Sequence, residues 1–142
     1  MKNLFILCLL IATSSHSFAD DWFQINETDE SKFYINVPSI SETNSYGKKV
    51  VKAWIKDVIY NDLTKDGLSV GDNTMSLFYS NCEDNTVGIK SITQYKNGKV
   101  FGSQISNSYV NMKDVIPNSI GQSILTYSCE GMRIKKEGKA GE

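Results

Sequence analysis

"KVVKAWIKDVIY", residues 49–60, alternates in steps of two. Val51, Ala53, Ile55 and Ile59 fall on one side of an extended chain and Lys52, Trp54, Lys56, Val58 and Tyr60 on the other, because successive strand side chains point to opposite faces. The stretch predicts a long strand with one buried side.

Strand signals continue on both sides of it. Upstream, "WFQI" at 22–25 and "KFYINV" at 32–37 are short, aromatic and β-branched, and Pro38 with the polar stretch to Gly47 ends the second. Downstream, "NDLTKDGLSVGDN" at 61–73 is turn chemistry throughout and predicts a loop. "TMSLFYSNC" at 74–82 returns to strand character and carries Cys82 at its end. In "VGIKSITQYKNGKVFGSQI", 87–105, Asn97-Gly98 separates two strand-like runs and predicts a hairpin. A two-residue turn there sets Tyr95 opposite Val100 and Gln94 opposite Phe101. Each face then carries an apolar residue, so the pattern does not say which is buried.

The period changes near the C-terminus. In "PNSIGQSILTYSCEG", 117–131, Ser119 and Gln122 fit a capping box, Ile120, Ile124 and Tyr127 recur at helical spacing, and Leu125 and Cys129 extend the same face. Gly131 is placed to end the helix in a left-handed conformation. The charged residues 132–142 then read as a mobile tail.

At the other end, Lys2 precedes an apolar run from Leu4 to Ala12, and Ser17-Phe18-Ala19 supplies small residues at −3 and −1 of a cut after Ala19. This is the pattern of a secretory signal peptide over 1–19, its apolar run too short to span a bilayer. No cysteine stands where a lipoprotein would be acylated, and no later apolar run is long enough for a membrane helix. The expectation is an exported chain, periplasmic or extracellular and not lipid-anchored.

Removing nineteen of 142 residues leaves 123, enough for one domain. The formal charge of −1 becomes −2 when Lys2 leaves, which offers no electrostatic footprint for nucleic acid. The single histidine, His16, leaves with the signal. Without it the mature chain cannot build a Ser/His/Asp or Cys/His nucleophile site or a His-ligated zinc site. The expectation is a non-enzyme with no cofactor and no metal.

Of three cysteines, Cys8 also leaves, so Cys82 and Cys129 remain. Free thiols or a soft metal site are the alternatives, but two cysteines without histidine are too few for structural zinc, and a disulfide is favoured in an exported chain. Closing a loop of about fifty residues gives about 4 kcal/mol in the chain-entropy model. The bridge ties the end of a central strand to the helix. An α+β domain over 20–131 results, with about six mostly antiparallel strands and one C-terminal helix stapled to the sheet.

Few residue clusters suggest chemistry. Asp62, Thr64, Asp66, Gly67 and Asn73 fall at positions 1, 3, 5, 6 and 12 of an EF-hand register, but Asn73 replaces the required bidentate acid and the flanks are strands. Glu27, Asp29 and Glu30, and Glu83 with Asp84, read as solvated turns. The sharper candidate is Lys52, Trp54 and Lys56, an indole between two ammonium groups, suited to an anionic or protein partner. Against it stands the stronger expectation that the helix covers Trp54 while the lysines extend past it.

Trp22 to Ile25, "FYIN" at 33–36, "VKAWI" at 51–55, Cys82, "YKNGKV" at 95–100 and "IPNSIGQSILTYSC" at 116–129 occur in an order that resembles the surface-adhesin protein E family of exported bacterial proteins. The resemblance implies an antiparallel sheet with a C-terminal helix and a Cys82–Cys129 bridge, and it admits a homodimer. It also implies a binding protein whose partners are host extracellular-matrix proteins such as vitronectin and laminin. A soluble periplasmic protein that binds a small ligand or an envelope partner is the alternative.

Overall fold

The computed structural model describes residues 21–140, and the expected signal peptide, 1–19, lies outside them. The elements run β1 (Trp22–Glu27), β2 (Ser31–Asn36), a 3-10 turn (Val37–Ser39), β3 (Ser41–Ser45), β4 (Lys48–Ile59), β5 (Asn73–Asn81), β6 (Thr86–Lys96), β7 (Lys99–Ser106), β8 (Lys113–Asp114) and α1 (Ile120–Ala140). The strands form one sheet in the order β1-β2-β4-β5-β6-β7, with β3 also on β4 and β8 also on β6. Every pairing is antiparallel.

The stretch that sets the pattern, β4, is long because two strands share one of its edges. β2 pairs with Ile55–Ile59 and β3 with the Lys48–Lys52 half, and the 3-10 turn carries the chain between them. Asn36 initiates that turn by accepting from the Ser39 amide at 3.0 Å.

The described residues form the expected antiparallel sheet, with eight strands where about six were expected. β3, "SETNS", has no apolar residue to reveal it and is held by backbone pairing to β4. β8 is only two residues long. The hairpin follows the expected register, with Tyr95 opposite Val100 and Gln94 opposite Phe101. Asn97 at φ 50° and Gly98 at φ 73° supply the two positive φ values that a two-residue turn of this hand requires.

The core lies between the sheet and α1. Ile25, Ile35, Ile40, Val51, Ala53, Ile55 and Ile124 are buried together, with Phe33, Phe78, Ile120 and Met132 packed against them. The serine half of the capping box forms, the Gln122 amide donating to Ser119 Oγ at 3.2 Å, while Gln122 Oε1 reaches one residue further back and accepts from the Asn118 amide at 2.6 Å. The bridge joins Cys82, just after β5, to Cys129 on α1, with Cα atoms 5.9 Å apart.

The helix does not end at Gly131, and the stretch expected as a tail, 132–142, is helical through Ala140. Gly131 serves close packing rather than termination, since a Cβ there would lie 2.5 Å from Ile40 Cδ1. Beyond it, Lys135 Nζ donates to the carbonyls of Pro38 at 3.0 Å and Ile40 at 2.8 Å, and Lys136 pairs with Glu42 on β3. Polar contacts thus tether a segment that has few apolar residues to bury. Among the described residues, no helix is long and apolar enough to cross a membrane.

Candidate functional site

Among the described residues a single α-helix covers one side of this sheet, and the register decides what the other side presents. Val51, Ala53 and Ile55 face α1, so Lys52, Trp54 and Lys56 face away from it. The expectation that the helix covers Trp54 is therefore overturned. The apolar face of α1 meets the small and branched side of β4, where Ala53 is fully buried and lets the helix approach.

Pairing carries this open side across the strands. One row runs Gln24, Tyr34, Lys56, Met75 and Thr93. Beside it Trp54 lies opposite Leu77, and Trp22 lies opposite Asn36. On the far side of the first row, Val58, Asn73, Tyr95 and Val100 align. Toward the other end, the segment 107–112 crosses the same side: a Cβ on Gly88 would meet Val110 Cγ1 at 2.6 Å and the Asn111 carbonyl at 2.8 Å. Val110 is buried beneath that crossing, and Tyr109 packs on Tyr46 with ring centres 4.6 Å apart.

Left uncovered is a patch of half-buried aromatic and aliphatic side chains: Trp22, Tyr34, Trp54, Met75, Leu77 and Tyr95. Trp22, Asn36, Trp54, Met75, Thr93 and Tyr95 line a shallow depression of about 320 Å³ in it. Lys56 Nζ sits 4.3 Å from the Trp22 ring centre and 5.6 Å from that of Tyr34, a cation held against aromatic faces. Lys52 and Lys56 have no carboxylate partner among the described residues. The arrangement can bind through stacking, apolar burial and positive charge. Sequence periodicity placed Lys52, Trp54 and Lys56 on one face but missed Trp22, Tyr34, Met75 and Tyr95, whose common side depends on strand order.

The acidic loops are occupied with internal contacts. Glu30 accepts from the amides of Leu63 at 3.0 Å and Thr64 at 2.8 Å, and its hydrogen bonds to the Thr64 side chain and backbone hold its carboxyl below the usual range. Asp66 caps the Leu68 amide at 3.0 Å, and Asp62 pairs with Lys65 at 3.1 Å. The EF-hand register is thus a self-bonded turn whose carboxylates fold back on local donors. Asp84 pairs with Lys48 at 2.6 Å. Among the described residues, no three His, Cys, Asp or Glu side chains are grouped to hold a metal.

Two further carboxylates differ from these. Asp72, buried, accepts from the amides of Asn97 and Ser69, each at 2.8 Å, and those bonds push its pKa down while tying the loop to the hairpin turn. Asp57, on the helix side of β4, has its pKa pushed up by burial, opposed in part by a Ser31 hydrogen bond, with Glu30 and Asp66 adding repulsion. Its Oδ1 is buried and has no hydrogen-bond partner among the described residues.

A family model described as surface-adhesin protein E matches residues 22–130, from the start of β1 into α1. No curated protein and no solved structure matches the chain.

Proposed function

The chain belongs to the surface-adhesin protein E family, and from that premise we propose that it is an exported, non-enzymatic binding protein that attaches to a host extracellular-matrix protein through the open side of its sheet. The observation that carries the proposal is the uncovered patch around Trp54. An antiparallel sheet normally turns polar residues to water on its free side, whereas this one turns two indoles, two phenols and two long aliphatic side chains outward. Aromatic residues beside positive charge are the composition that carries most binding energy at protein interfaces.

Purified mature chain applied to immobilised laminin and vitronectin tests this. Saturable binding that is lost in Trp54→Ala and in Lys52→Glu with Lys56→Glu, with folding retained, supports it. Equal binding by all three chains would move the contact off this side.

A second reading is a soluble periplasmic protein for a small ligand or an envelope partner. The expected leader, which ends in Ser17-Phe18-Ala19 without a cysteine to acylate, favours it. Cell fractionation separates the two. Recovery at the cell surface or in the medium supports the adhesin, and confinement to the periplasm supports the alternative. Mature protein that begins at Asp20 establishes the processing both require.

A further inference from the structure

Resting on the proposal that the open side is the binding surface, we infer that the depression at Trp54 recognises an acidic sugar, a pyranose carrying a carboxylate or sulfate, displayed on a glycan of the matrix.

Backbone pairing narrows the choice of occupant. β2, β4, β5 and β6, which with their ends carry every lining residue but Trp22, are paired on both sides; Trp22 is on β1, whose unpaired edge lies in the plane of the sheet and not on the face that holds the depression. A peptide adding as a strand would extend the sheet at β1 or β7, beside this face rather than over Trp54. Recognition here must pass through side chains. The floor and walls are aromatic and apolar, from Trp22, Trp54, Tyr95 and Met75, and Asn36 and Thr93 supply polar groups at the same depression.

Those polar groups are free to bind. Asn36 Oδ1 is taken by the Ser39 amide, which leaves its NH2 as a donor, and among the described residues no side-chain hydrogen bond engages that NH2 or the Thr93 or Tyr95 hydroxyl. A pyranose matches this set: its C–H faces are apolar and lie against the negative face of an aromatic ring, while its edge carries hydroxyls.

Charge selects among sugars. Lys56 is held over Trp22 rather than free in solvent, so the entropy of fixing its long side chain is already spent, and Lys52 stands on the same face. Since no carboxylate among the described residues pairs with either lysine, a neutral sugar would leave both without a counter-charge. A carboxylate or sulfate supplies one. The space of about 320 Å³ accommodates a pyranose ring.

The test uses the mature chain and four probes: a heparin-derived oligosaccharide, a hyaluronan oligosaccharide, a neutral chitin oligosaccharide and poly-glutamate matched in charge. Binding is read by calorimetry and by quenching of tryptophan fluorescence. We expect binding to at least one acidic oligosaccharide, weakened roughly tenfold by Trp54→Ala, the loss of one stacked indole. Lys52→Gln with Lys56→Gln should remove it, and the neutral oligosaccharide should bind far more weakly. Melting curves establish that each variant is folded, and Trp54→Phe, which keeps a ring, should retain most of the affinity.

Equal binding of poly-glutamate, or indifference to Trp54→Ala in a folded variant, would reduce the interaction to ion exchange and overturn the inference. Failure to bind either acidic oligosaccharide overturns it as well. The two proposals fail separately. Persistent binding to laminin or vitronectin after enzymatic removal of glycans refutes the sugar and leaves the adhesin standing. Binding to the oligosaccharide without binding to matrix protein does the reverse.

Discussion

Gly131 lies against Ile40 so closely that a Cβ on the glycine would sit 2.5 Å from the Ile40 Cδ1 methyl. The helix crosses the 3-10 turn region at this point, and Ile40 is buried there with 3 % of its surface exposed. A glycine in mid-helix costs about 1 kcal/mol relative to alanine, and the contact gives the physical reason to retain it.

Two opposed effects decide the outcome of substituting it. Gly131→Ala recovers helix propensity, but the Ile40 methyl must rotate away, so the net change in unfolding free energy should stay within about 1 kcal/mol. Gly131→Val adds bulk that rotation of one methyl does not accommodate, and should cost about 1 to 3 kcal/mol. Chemical denaturation of the pair measures both; a valine variant as stable as the alanine one would show that the helix does not press on Ile40.

Cys129→Ser should cost a large part of the total stability. The bridge closes 47 residues of sequence separation, worth about 4 kcal/mol by chain entropy. Cys82 is exposed, so mild reductant should have the same effect on the native protein. Melting with and without reductant reports it, and unchanged melting after verified reduction would contradict the staple.

Trp54→Ala separates core from surface. A tryptophan inside the core would cost about 3 to 5 kcal/mol when truncated. Trp54 is half-buried on the side away from α1, so the loss should fall well below that range while the proposed binding to a matrix protein disappears. A loss as large as that of a core residue, read by denaturation, would restore a structural role for the indole.

Asp57 makes stability fall as pH rises. Burial lifts its pKa in the folded state above the ordinary 3.8, so the folded protein holds that proton more tightly than the unfolded chain does. The resulting advantage is present below pH 3.8 and is lost as pH climbs to the raised value. Asp57→Asn should therefore stabilise the protein at neutral pH and flatten this part of the profile. Asp72 works in the opposite sense: its pKa is lowered by the Asn97 and Ser69 amides, and its contribution, present above pH 3.8, is lost as pH falls through the folded value. Melting between pH 3 and 7, compared with Asp57→Asn and Asp72→Asn, resolves the two; a wild-type profile reproduced by both variants would assign the pH dependence elsewhere.

Much of this protein was legible before folding. Alternation in 49–60 specifies a strand whose two sides differ, Asn97-Gly98 specifies a hairpin and its register, and Ser119 with Gln122 specifies where the helix begins, because each depends on residues within a few positions of one another. The Cys82–Cys129 link was also legible, since only two cysteines remain once the expected leader is set aside. What local pattern did not determine was which side of β4 receives the helix. The hydrophobic content of Trp54 argued for one side and that of Val51, Ala53 and Ile55 for the other. Docking α1 decided it: Ala53, with the close approach that Gly131 permits at Ile40, gives the helix a surface it can meet without a bulky indole between. β3 was hidden for a related reason, as "SETNS" is a strand only because β4 offers it an unpaired edge. The helix past Gly131 likewise depends on Lys135 and Lys136 reaching partners roughly a hundred residues away in sequence. The uncovered aromatic patch is the fullest case, because Trp22, Tyr34, Trp54 and Tyr95 become neighbours only through strand order and register, and no short stretch of chain contains that information.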